Sequence, residues 1–333
     1  MRNNMTMSEQ FEKHGDGLLV RAPGKINLSL LVKGKRTDGY HELETIMAKI
    51  NWYDEILIEK LNEKVKSNPP AADKKEKVKS KEKPDIELIC KGPYKVPAGK
   101  DNLVYKAAKL ILDFGLRIAD FNNAGKMPAT LKITLTKNMP ACTGLGSGSS
   151  DAAGTLMGIN RFLKLGFSKK KLMEQAAKLG SDVAFFLGGP LAMCTGRGEK
   201  VKKIDKCEFG VLLIVPDVNV STQRVYANYR HNSAKYERLH KEINGHIKKK
   251  RIDLVCELCA NMLQESCFEL NTKLRELKKR IERAGIRPLC LSGSGSAMYC
   301  IIDKGNEENI VTYKNKLARE FGCKSIILNN NSW

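Results

Sequence analysis

A stretch of small residues, GLGSGSS at residues 144–150, lies between a strand-like run and a helix-like run. Three of its seven residues are glycine and three are serine, so it has little side-chain volume to contribute to a core. The run before it, ATLKITLTKNM, alternates apolar and polar residues as a strand does. Ser149, Ser150 and Asp151 are favourable residues for the N-cap or first turn of a helix. The segment therefore predicts a strand, a glycine turn and a helix N-terminus.

A glycine turn that leads into a helix N-terminus is suited to binding an anion. The backbone N–H groups of such a loop point inward, and the helix dipole adds positive potential. The stretch lacks the lysine of G-x-x-x-x-G-K-[ST], and it does not match G-x-G-x-x-G. The residues alone leave two interpretations, a phosphate site for a nucleotide or a tight turn packed against a neighbouring element.

The length and composition of the chain are those of a globular protein. A chain of 333 residues can form two packed domains, and contents of 42% hydrophobic and 29% charged residues exclude a disordered or fibrous protein. No apolar run is long enough to span a membrane. Residues 1–17 lack the apolar core of a secretory signal and contain acidic residues that a transit peptide avoids. We expect a short disordered extension on a cytoplasmic protein, with the plastid stroma open for a plastid-bearing source.

The formal net charge of +21 is concentrated in part in two lysine-rich stretches, residues 60–84 and 246–251. The first contains two prolines and no aromatic residue, and it lies between two strand-like runs. This composition predicts a solvated, disordered hairpin insertion. An arm that binds nucleic acid would interleave aromatic and basic residues. An acidic small-molecule substrate explains the charge equally well.

The ten cysteines are scattered along the chain. Cys256 and Cys259 form a C-x-x-C within a helix-like run, but no second C-x-x-C is present to complete a zinc site. We therefore expect reduced thiols in the core and no structural metal.

Helix-like and strand-like runs are mixed without a regular βαβ repeat, which favours an α+β fold over a doubly wound sheet. The run GLLVRAPGKINLSLLVKG, residues 17–34, predicts a pair of strands. A polar stretch near residue 200 separates two apolar blocks. We expect an N-terminal domain over residues 18–200, containing the insertion 60–84, and a C-terminal domain over residues 201–333.

Two further segments carry polar residues that could form a site. In GKINLSLLV, the strand period puts Lys25, Asn27 and Ser29 on one face, which is either solvent-facing or the wall of an active site. Asp182 follows a helix-like run that Gly180 should end. By itself, Asp182 is more typical of a helix N-cap than of a catalytic residue.

Three segments, APGKINL, PACTGLGSGSSDAAG and LSGSGSAM, resemble in order the three motifs of the GHMP kinase superfamily. The resemblance covers residues 20–302 and, through DGYHELETIM and TGRGE, is closer to the branch that acts on 4-diphosphocytidyl-2-C-methyl-D-erythritol than to mevalonate or homoserine kinases. The chain departs from the pattern at Gly24, where alanine is more common, at Ser147, where glycine is usual, and in its two added segments.

The resemblance implies a two-domain GHMP kinase fold, with an N-terminal ATP-binding domain of the ribosomal protein S5 domain 2-like type and a C-terminal ferredoxin-like domain. It implies ATP-dependent phosphorylation of the 2-hydroxyl of 4-diphosphocytidyl-2-C-methyl-D-erythritol in non-mevalonate isoprenoid biosynthesis. The expected cofactors are ATP and Mg²⁺, the latter held by phosphate oxygens and by Ser149 or Ser150. ATP and the small-molecule substrate are the expected partners, with no nucleic acid and no membrane, for a monomer or a homodimer.

The resemblance also implies roles for individual residues. Asp182 would take the proton of the substrate hydroxyl, and Lys25 would orient Asp182 and favour the alkoxide. Tyr40 and His41 would hold the cytosine, with Tyr226 on its other face. Asn27, Lys137 and Thr222 would contact the erythritol and phosphate parts of the substrate. The ATP phosphates would be wrapped by Pro140, Ala141, Cys142, Thr143, Gly144, Leu145, Gly146, Ser147, Gly148, Ser149 and Ser150.

Two alternatives remain open at this point. One is a GHMP kinase with another substrate, such as homoserine or mevalonate, which the DGYH segment argues against. The other is a nucleic-acid-binding protein, which would show RNA affinity with a steep salt dependence.

Overall fold

The computed structural model describes residues 10–61, 85–117, 128, 130–205, 207–302 and 307–330. Two long antiparallel strands, β2 (Gly17–Lys35) and β3 (His41–Leu61), form the centre of a first sheet. One half of β3 pairs with β6 and the other half pairs with β5, so the sheet divides around it. The described order is β1-β2-β3-β5-β4, with β6 and β7 branching from β3. The other strands of this sheet are β1 (Phe11–His14), β4 (Asp85–Lys91), β5 (Thr130–Thr136), β6 (Leu191–Gly196) and β7 (Lys200–Lys203).

The prediction of a strand pair over residues 17–34 is wrong, because this run is the single strand β2. Pro23 and Gly24 look like a turn in the sequence. In the sheet they lie at a shift of register between β2 and β3, and a β-bulge accommodates them without ending the strand.

Both predictions for the added segments need correction. Residues 11–14 are not part of a disordered extension, since they form β1 and pair with β2. The strands that flank the lysine-rich insertion do not form a hairpin, because β5 lies between β3 and β4 and pairs with both. Residues 1–9 and 62–84 lie outside the described residues.

Four helices lie in the same half of the chain as the first sheet, and the longest of them packs closely on it. Val20, Ile56 and Ile58 of the strands share a buried core with the helix that begins at Ser147. A Cβ added at Gly158 would lie 2.6 Å from Ile58 Cδ1, so glycine lets the helix approach the sheet. These helices are α1 (Leu103–Arg117), α2 (Ser147–Phe162), α3 (Lys169–Leu179) and α4 (Val183–Phe186).

A second sheet, antiparallel throughout, has the order β11-β8-β10-β9. Its strands are β8 (Gly210–Val215), β9 (Cys290–Leu291), β10 (Met298–Ile302) and β11 (Lys324–Asn329). It is accompanied by α5 (Thr222–Ala227), α6 (Ser233–Lys248), α7 (Ile252–Glu257), α8 (Gln264–Leu270), α9 (Thr272–Arg283) and α10 (Glu307–Phe321). Helices mixed with two largely antiparallel sheets, in which β4 and β5 form a parallel pair, confirm the α+β prediction. We propose a domain boundary between Lys203 and Gly210, where the first sheet has ended and the second begins.

The prediction of reduced thiols is wrong for one pair of cysteines. Cys259 and Cys290 form a disulfide, with their Cα atoms 4.9 Å apart. The other eight cysteines are not part of a disulfide. Within the C-x-x-C, Cys256 is buried, and burial raises the pKa of its thiol to about 12. Cys259 and Cys290 meet because the chain folds back between α7 and β9, and the spacing of the cysteines in the sequence does not predict this. Among the described helices, none has the length and apolar character needed to cross a membrane.

Candidate active site

A cavity of about 850 Å³ lies between the parts of the chain that form the two sheets. Residues of β2, the glycine turn before α2, the turn between β6 and β7, and α5 line it. Lining groups from several elements around one concave space are typical of a small-molecule site. Of the residues singled out in the sequence, the cavity brings together Lys25, Asn27, Tyr40, His41, Asp182, Thr222 and Tyr226.

Lys25 and Asp182 meet in this cavity, with Lys25 Nζ 3.5 Å from Asp182 Oδ2. Lys25 also donates to Asn27 Oδ1 at 2.5 Å and to the carbonyl oxygen of Gly144 at 2.9 Å. Asp182 occupies the N-cap position of α4, but its side chain makes no capping hydrogen bond. The carboxylate therefore faces the lysine and the cavity instead of stabilising the helix.

The polar face of β2 is an interior wall. Lys25, Asn27 and Ser29 are all buried, which excludes the solvent-facing interpretation. The Asn27 amide is held on both sides, because its oxygen accepts from Lys25 and its nitrogen donates to Thr45 Oγ1 at 2.8 Å. Asn27 therefore lines the cavity and orients the lysine.

The glycine turn enters α2 with two left-handed residues, Gly144 at φ +81° and Gly146 at φ +67°. A Cβ at Gly144 would lie 2.1 Å from the Ser292 carbonyl oxygen, so any residue other than glycine would clash there. The first N–H groups of α2 have no partner within the helix, and Ser147, Gly148 and Ser149 line the cavity there. This arrangement fits the phosphates of a nucleotide.

Two residues of the predicted phosphate loop do not line the cavity. Ala141 is exposed and is not among the residues that line the cavity. Ser150 is buried one turn into α2, and its Oγ has no hydrogen-bond partner. The other residues of 140–150 line the cavity as expected.

A second glycine-rich loop, residues 292–296, packs against the first. Ser292 Oγ donates to the Gly144 carbonyl oxygen at 2.9 Å, and the Ala297 N–H donates to the Thr143 carbonyl oxygen at 3.0 Å. Ser294 Oγ pairs with Thr222 Oγ1 at 2.8 Å. The SGSGS composition marked this loop in the sequence, but it did not indicate that its hydroxyls brace the other glycine loop.

Lys137 does not line the cavity, unlike the other predicted substrate residues, and its substrate contact stays a prediction. Its side chain is buried, and Nζ donates to Asp54 Oδ2 and Asp151 Oδ2, each at 2.5 Å, and to Ser147 Oγ. Burial raises the pKa of Asp151 to about 8, although Lys137 lies beside it. Lys137 follows β5 and holds the first turn of α2, which explains its place beside the glycine motif.

An aromatic cluster forms the far end of the cavity. The His41 ring lies 5.3 Å from that of Tyr226, centroid to centroid, and 5.8 Å from that of Tyr229 in an edge-on contact. Burial, Lys35 and His231 lower the pKa of His41. Burial, with Asp182 nearby, raises the pKa of Tyr226. Both groups are therefore neutral at neutral pH and can hydrogen-bond the edge of a polar ring. Sequence reasoning missed Tyr229, whose only signal is its position three residues after Tyr226.

Arg197 is a second residue that sequence reasoning missed, although the TGRGE segment contains it. Its guanidinium carbon lies 4.9 Å from the centroid of the Tyr40 ring, a cation–π contact. The next residue, Gly198, is left-handed at φ +118°, and a Cβ there would lie 3.6 Å from Asp182 Oδ1. The turn between β6 and β7 therefore contacts both the aromatic cluster and the Lys25–Asp182 pair.

Comparison with known proteins identifies the family. Residues 102–190 match the GHMP kinases N terminal domain, and residues 244–317 match the GHMP kinases C terminal domain. A 4-diphosphocytidyl-2-C-methyl-D-erythritol kinase of Bacillus cereus (strain B4264) is 35% identical over 288 residues, 86% of this chain and 88% of that protein. The chain belongs to the GHMP kinases. The kinase of the same name from Geobacillus sp. (strain WCH70) is 34% identical over 293 residues, with the same coverage of 86% and 88%.

Solved structures of GHMP kinases share this fold. A crystal structure of 4-(cytidine 5'-diphospho)-2C-methyl-D-erythritol kinase matches at a TM-score of 0.63 and 26% identity, covering 94% of this chain and 100% of that one. Homoserine kinase from Cytophaga hutchinsonii matches at a TM-score of 0.68 but at 17% identity, over 97% and 96% of the two chains, which is a likeness of fold alone. The predicted superfamily and the predicted two-domain kinase fold are confirmed.

Proposed function

We propose that this GHMP kinase transfers the γ-phosphoryl group of ATP to the 2-hydroxyl of 4-diphosphocytidyl-2-C-methyl-D-erythritol, giving the 2-phosphate and ADP in non-mevalonate isoprenoid biosynthesis. Two relatives that bear this substrate in their names match over 86% of the chain. The single observation that carries the proposal is a cavity with the Lys25–Asp182 pair between a glycine loop and an aromatic cluster. A nucleotide-like substrate with an acceptor hydroxyl fits that order of groups.

We assign ATP to the glycine loop of residues 140–150. The first-turn N–H groups of α2 and the left-handed glycines would receive the phosphates. Mg²⁺ would neutralise charge on those phosphates when bound. The chain offers Ser149 beside the cavity as an oxygen ligand, a donor type that Mg²⁺ accepts, whereas the buried Ser150 Oγ does not reach the cavity.

We assign the proton transfer to Asp182. Its Oδ2 would accept the proton of the substrate hydroxyl as the oxygen attacks phosphorus, while Lys25 would hold the carboxylate in place and stabilise the developing alkoxide. Lys25 can do this because Asn27 and Gly144 fix its ammonium from the opposite side.

We assign the cytidine to the aromatic cluster. Neutral His41 has one donor and one acceptor nitrogen and would pair with the edge of cytosine. Tyr40 and Tyr226 would lie on the two faces of the cytosine ring. A hydrogen-bonding pocket rejects substrates without the matching edge, such as mevalonate and homoserine, far better than an apolar pocket does. Thr222 and Asn27 would border the sugar-alcohol part, between the cluster and Asp182.

The deciding experiment is an ADP-release assay with ATP, Mg²⁺ and each of three acceptors. We expect turnover with 4-diphosphocytidyl-2-C-methyl-D-erythritol and background rates with mevalonate and homoserine. Equal turnover with either of the last two would overturn the substrate assignment and leave only a kinase of this family.

We also propose a cytoplasmic protein that is a monomer or a homodimer. Light scattering of the purified protein measures the oligomeric state. A thiol count under denaturing conditions gives ten if all cysteines are reduced in the cell and eight if the Cys259–Cys290 bond forms there. Ten thiols would agree with a reducing compartment.

A further inference from the structure

Two lysines stand opposite each other on the central strands of the first sheet. Lys25 of β2 pairs in register with Lys49 of β3, so the two side chains leave the sheet on the same face. Lys49 is only 2% exposed, and it does not line the cavity. A lysine buried to this degree is unusual, and it needs strong acceptors close to its ammonium.

The acceptors of Lys49 belong to the segment that begins with Asp182. Lys49 Nζ donates to the carbonyl oxygens of Phe186 and Gly188, each at 3.1 Å. These carbonyls lie at the end of α4 and just beyond it, where helical carbonyls lack partners within the helix. The Lys49 backbone N–H also donates to the carbonyl oxygen of Pro190 at 2.8 Å.

The cross-strand lysine pair thus holds both ends of one short segment. Lys25 contacts the carboxylate of Asp182 at its start, and Lys49 binds the carbonyl oxygens of Phe186 and Gly188 at its end. α4 has only four residues and cannot fix its own direction by internal hydrogen bonding. The direction in which Asp182 points therefore depends on what anchors the rest of residues 182–188.

We propose that Lys49 is a positioning residue for phosphoryl transfer, which anchors residues 182–188 through the Phe186 and Gly188 carbonyls and thereby holds Asp182 against Lys25 and the acceptor hydroxyl. The inference rests on the proposed role of Asp182. A misplacement of about 1 Å in a catalytic group can cost about two orders of magnitude in rate, so an anchor of this kind acts on kcat.

The charge state of Lys49 changes in the range where the enzyme would be assayed. Burial, with Lys169 of α3 as a second cause, lowers the pKa of Lys49 to about 7. Lys25 lies opposite Lys49 on β2 and in turn contacts Asp182 at the start of α4, and Lys169 is a further positive charge near Lys49. Below pH 7 the ammonium holds both carbonyls strongly, and above pH 7 a neutral amine holds them more weakly. The anchor should therefore weaken as pH rises.

Folding stability should change with pH in the opposite direction. A lysine whose pKa is lower in the folded than in the unfolded protein costs stability while it is charged, and that cost disappears as pH rises above 7. Lys49→Met keeps the length of the side chain and removes the charge, so at pH 6 it should fold at least as stably as the original protein. A purely structural lysine would lose stability and activity together.

The test compares Lys49→Met with Lys316→Met. Lys316 is a matched control, since its Nζ also donates to a carbonyl oxygen at a helix end, that of Ala284 at 3.2 Å after α9. We expect Lys49→Met to reduce kcat about tenfold at pH 6 with both KM values within about twofold. The ratio of the original kcat to that of Lys49→Met should fall toward about two at pH 9. Lys316→Met should keep the original kcat. Urea unfolding at pH 6 is measured alongside.

A kcat for Lys49→Met within twofold of the original at pH 6, or a ratio that does not change with pH, would overturn the proposal. If the variant fails to fold, amide hydrogen exchange of residues 183–188 in the unaltered protein decides, after correction for intrinsic rates. We expect faster exchange at pH 9 than at pH 6, and equal protection would reject the anchor. Full turnover of Asp182→Asn would instead refute the role of Asp182, whatever the exchange result.

Discussion

Lys25 Nζ lies 3.5 Å from Asp182 Oδ2, and the two side chains differ in exposure, at 4% for the lysine and 34% for the aspartate. The buried lysine is fixed from behind by Asn27 and Gly144, while the aspartate keeps one side open to the cavity. This asymmetry suits a pair in which one member stays in place and the other receives a proton from a bound molecule.

Asp182→Asn should reduce kcat by about two orders of magnitude, because the amide retains the shape of the side chain but cannot accept the proton. Affinity for a non-hydrolysable ATP analogue should remain, since Asp182 lies outside the glycine loop. Steady-state kinetics and a titration measure the two. Asp205→Asn is the control, as Asp205 is exposed and, within the described residues, forms its ion pair with exposed Lys250 at 3.2 Å. Near-normal turnover of Asp182→Asn would refute the assignment of the proton transfer to Asp182.

Removal of the lysine-rich insertion, residues 62–83, should leave activity within a few-fold. The two cut ends cannot be joined by a two-residue turn, because Leu61 and Asp85 both pair with Thr130 from opposite sides. With strands about 4.8 Å apart, the ends stand about 10 Å apart, and a linker of five or six Gly/Ser residues spans this distance. The measurement is kcat/KM and soluble yield. A loss of either would show that the lysines contribute to the site or the fold.

Arg197→Leu should raise KM for the cytidyl substrate by about threefold to tenfold and leave KM for ATP unchanged. The substitution removes the cation–π contact with Tyr40, which is worth about 0.5–1 kcal/mol at an exposed site and more when desolvated. Arg280→Leu is a matched control, because Arg280 lies 5.2 Å from the Phe321 ring outside the cavity. An equal effect of both substitutions, or a change in KM for ATP, would contradict the assignment.

Affinity for the cytidyl substrate should fall on the acid side of neutrality. His41 has its pKa lowered by burial, so it stays neutral down to pH values below its ordinary 6.5, and protonation then removes the acceptor nitrogen. We expect a constant Kd between about pH 7 and 8 and weaker binding only as pH falls below the ordinary histidine pKa of about 6.5. Calorimetric titration measures this Kd, and His41→Asn should not show the weakening of binding in acid. Tighter binding in acid would mean that a charged imidazolium holds the base.

The sequence allowed the site to be predicted where short motifs contain both the structure and the chemistry. The glycine turn, Lys25 and Asp182 follow from local patterns together with the family resemblance. The buried contacts of Lys137 were not predicted, because its partners, Asp54 and Asp151, become neighbours only when β3 and β5 pair. Local periodicity contains no information on that pairing.

The same limit explains the errors in the fold. Pro23–Gly24 resembles a turn, yet β3 continues alongside β2 and the bulge costs less than breaking a buried strand. β5 enters between β3 and β4, which no pattern within those two strands indicates. The burial of Lys49 could not be predicted from local patterns either, because Lys49 is covered by α4, which comes from a distant part of the chain.

Gly146→Val should disable the glycine loop more severely than steric contact with ATP alone would. Gly146 has a left-handed φ of +67°, and an added Cβ would lie 2.9 Å from Lys25 Cγ and 3.1 Å from Phe186 Cζ. A β-branched residue is strained at this φ by about 1–3 kcal/mol and must also displace the lysine. We therefore expect a folded protein with weak ATP-analogue binding, a kcat reduced by about two orders of magnitude, and cytidyl-substrate affinity close to the original.

Gly245→Ala is the control for this substitution. Gly245 lies within α6 and does not line the cavity, and among the described residues a Cβ there would meet nothing within 4 Å. Alanine also favours the helix, so activity should stay within a few-fold of the original. Two titrations on each folded variant, with a non-hydrolysable ATP analogue and with the cytidyl substrate, separate the two ends of the cavity. Normal ATP-analogue affinity in Gly146→Val would mean that the stretch is a tight turn between two loops and that the nucleotide binds elsewhere.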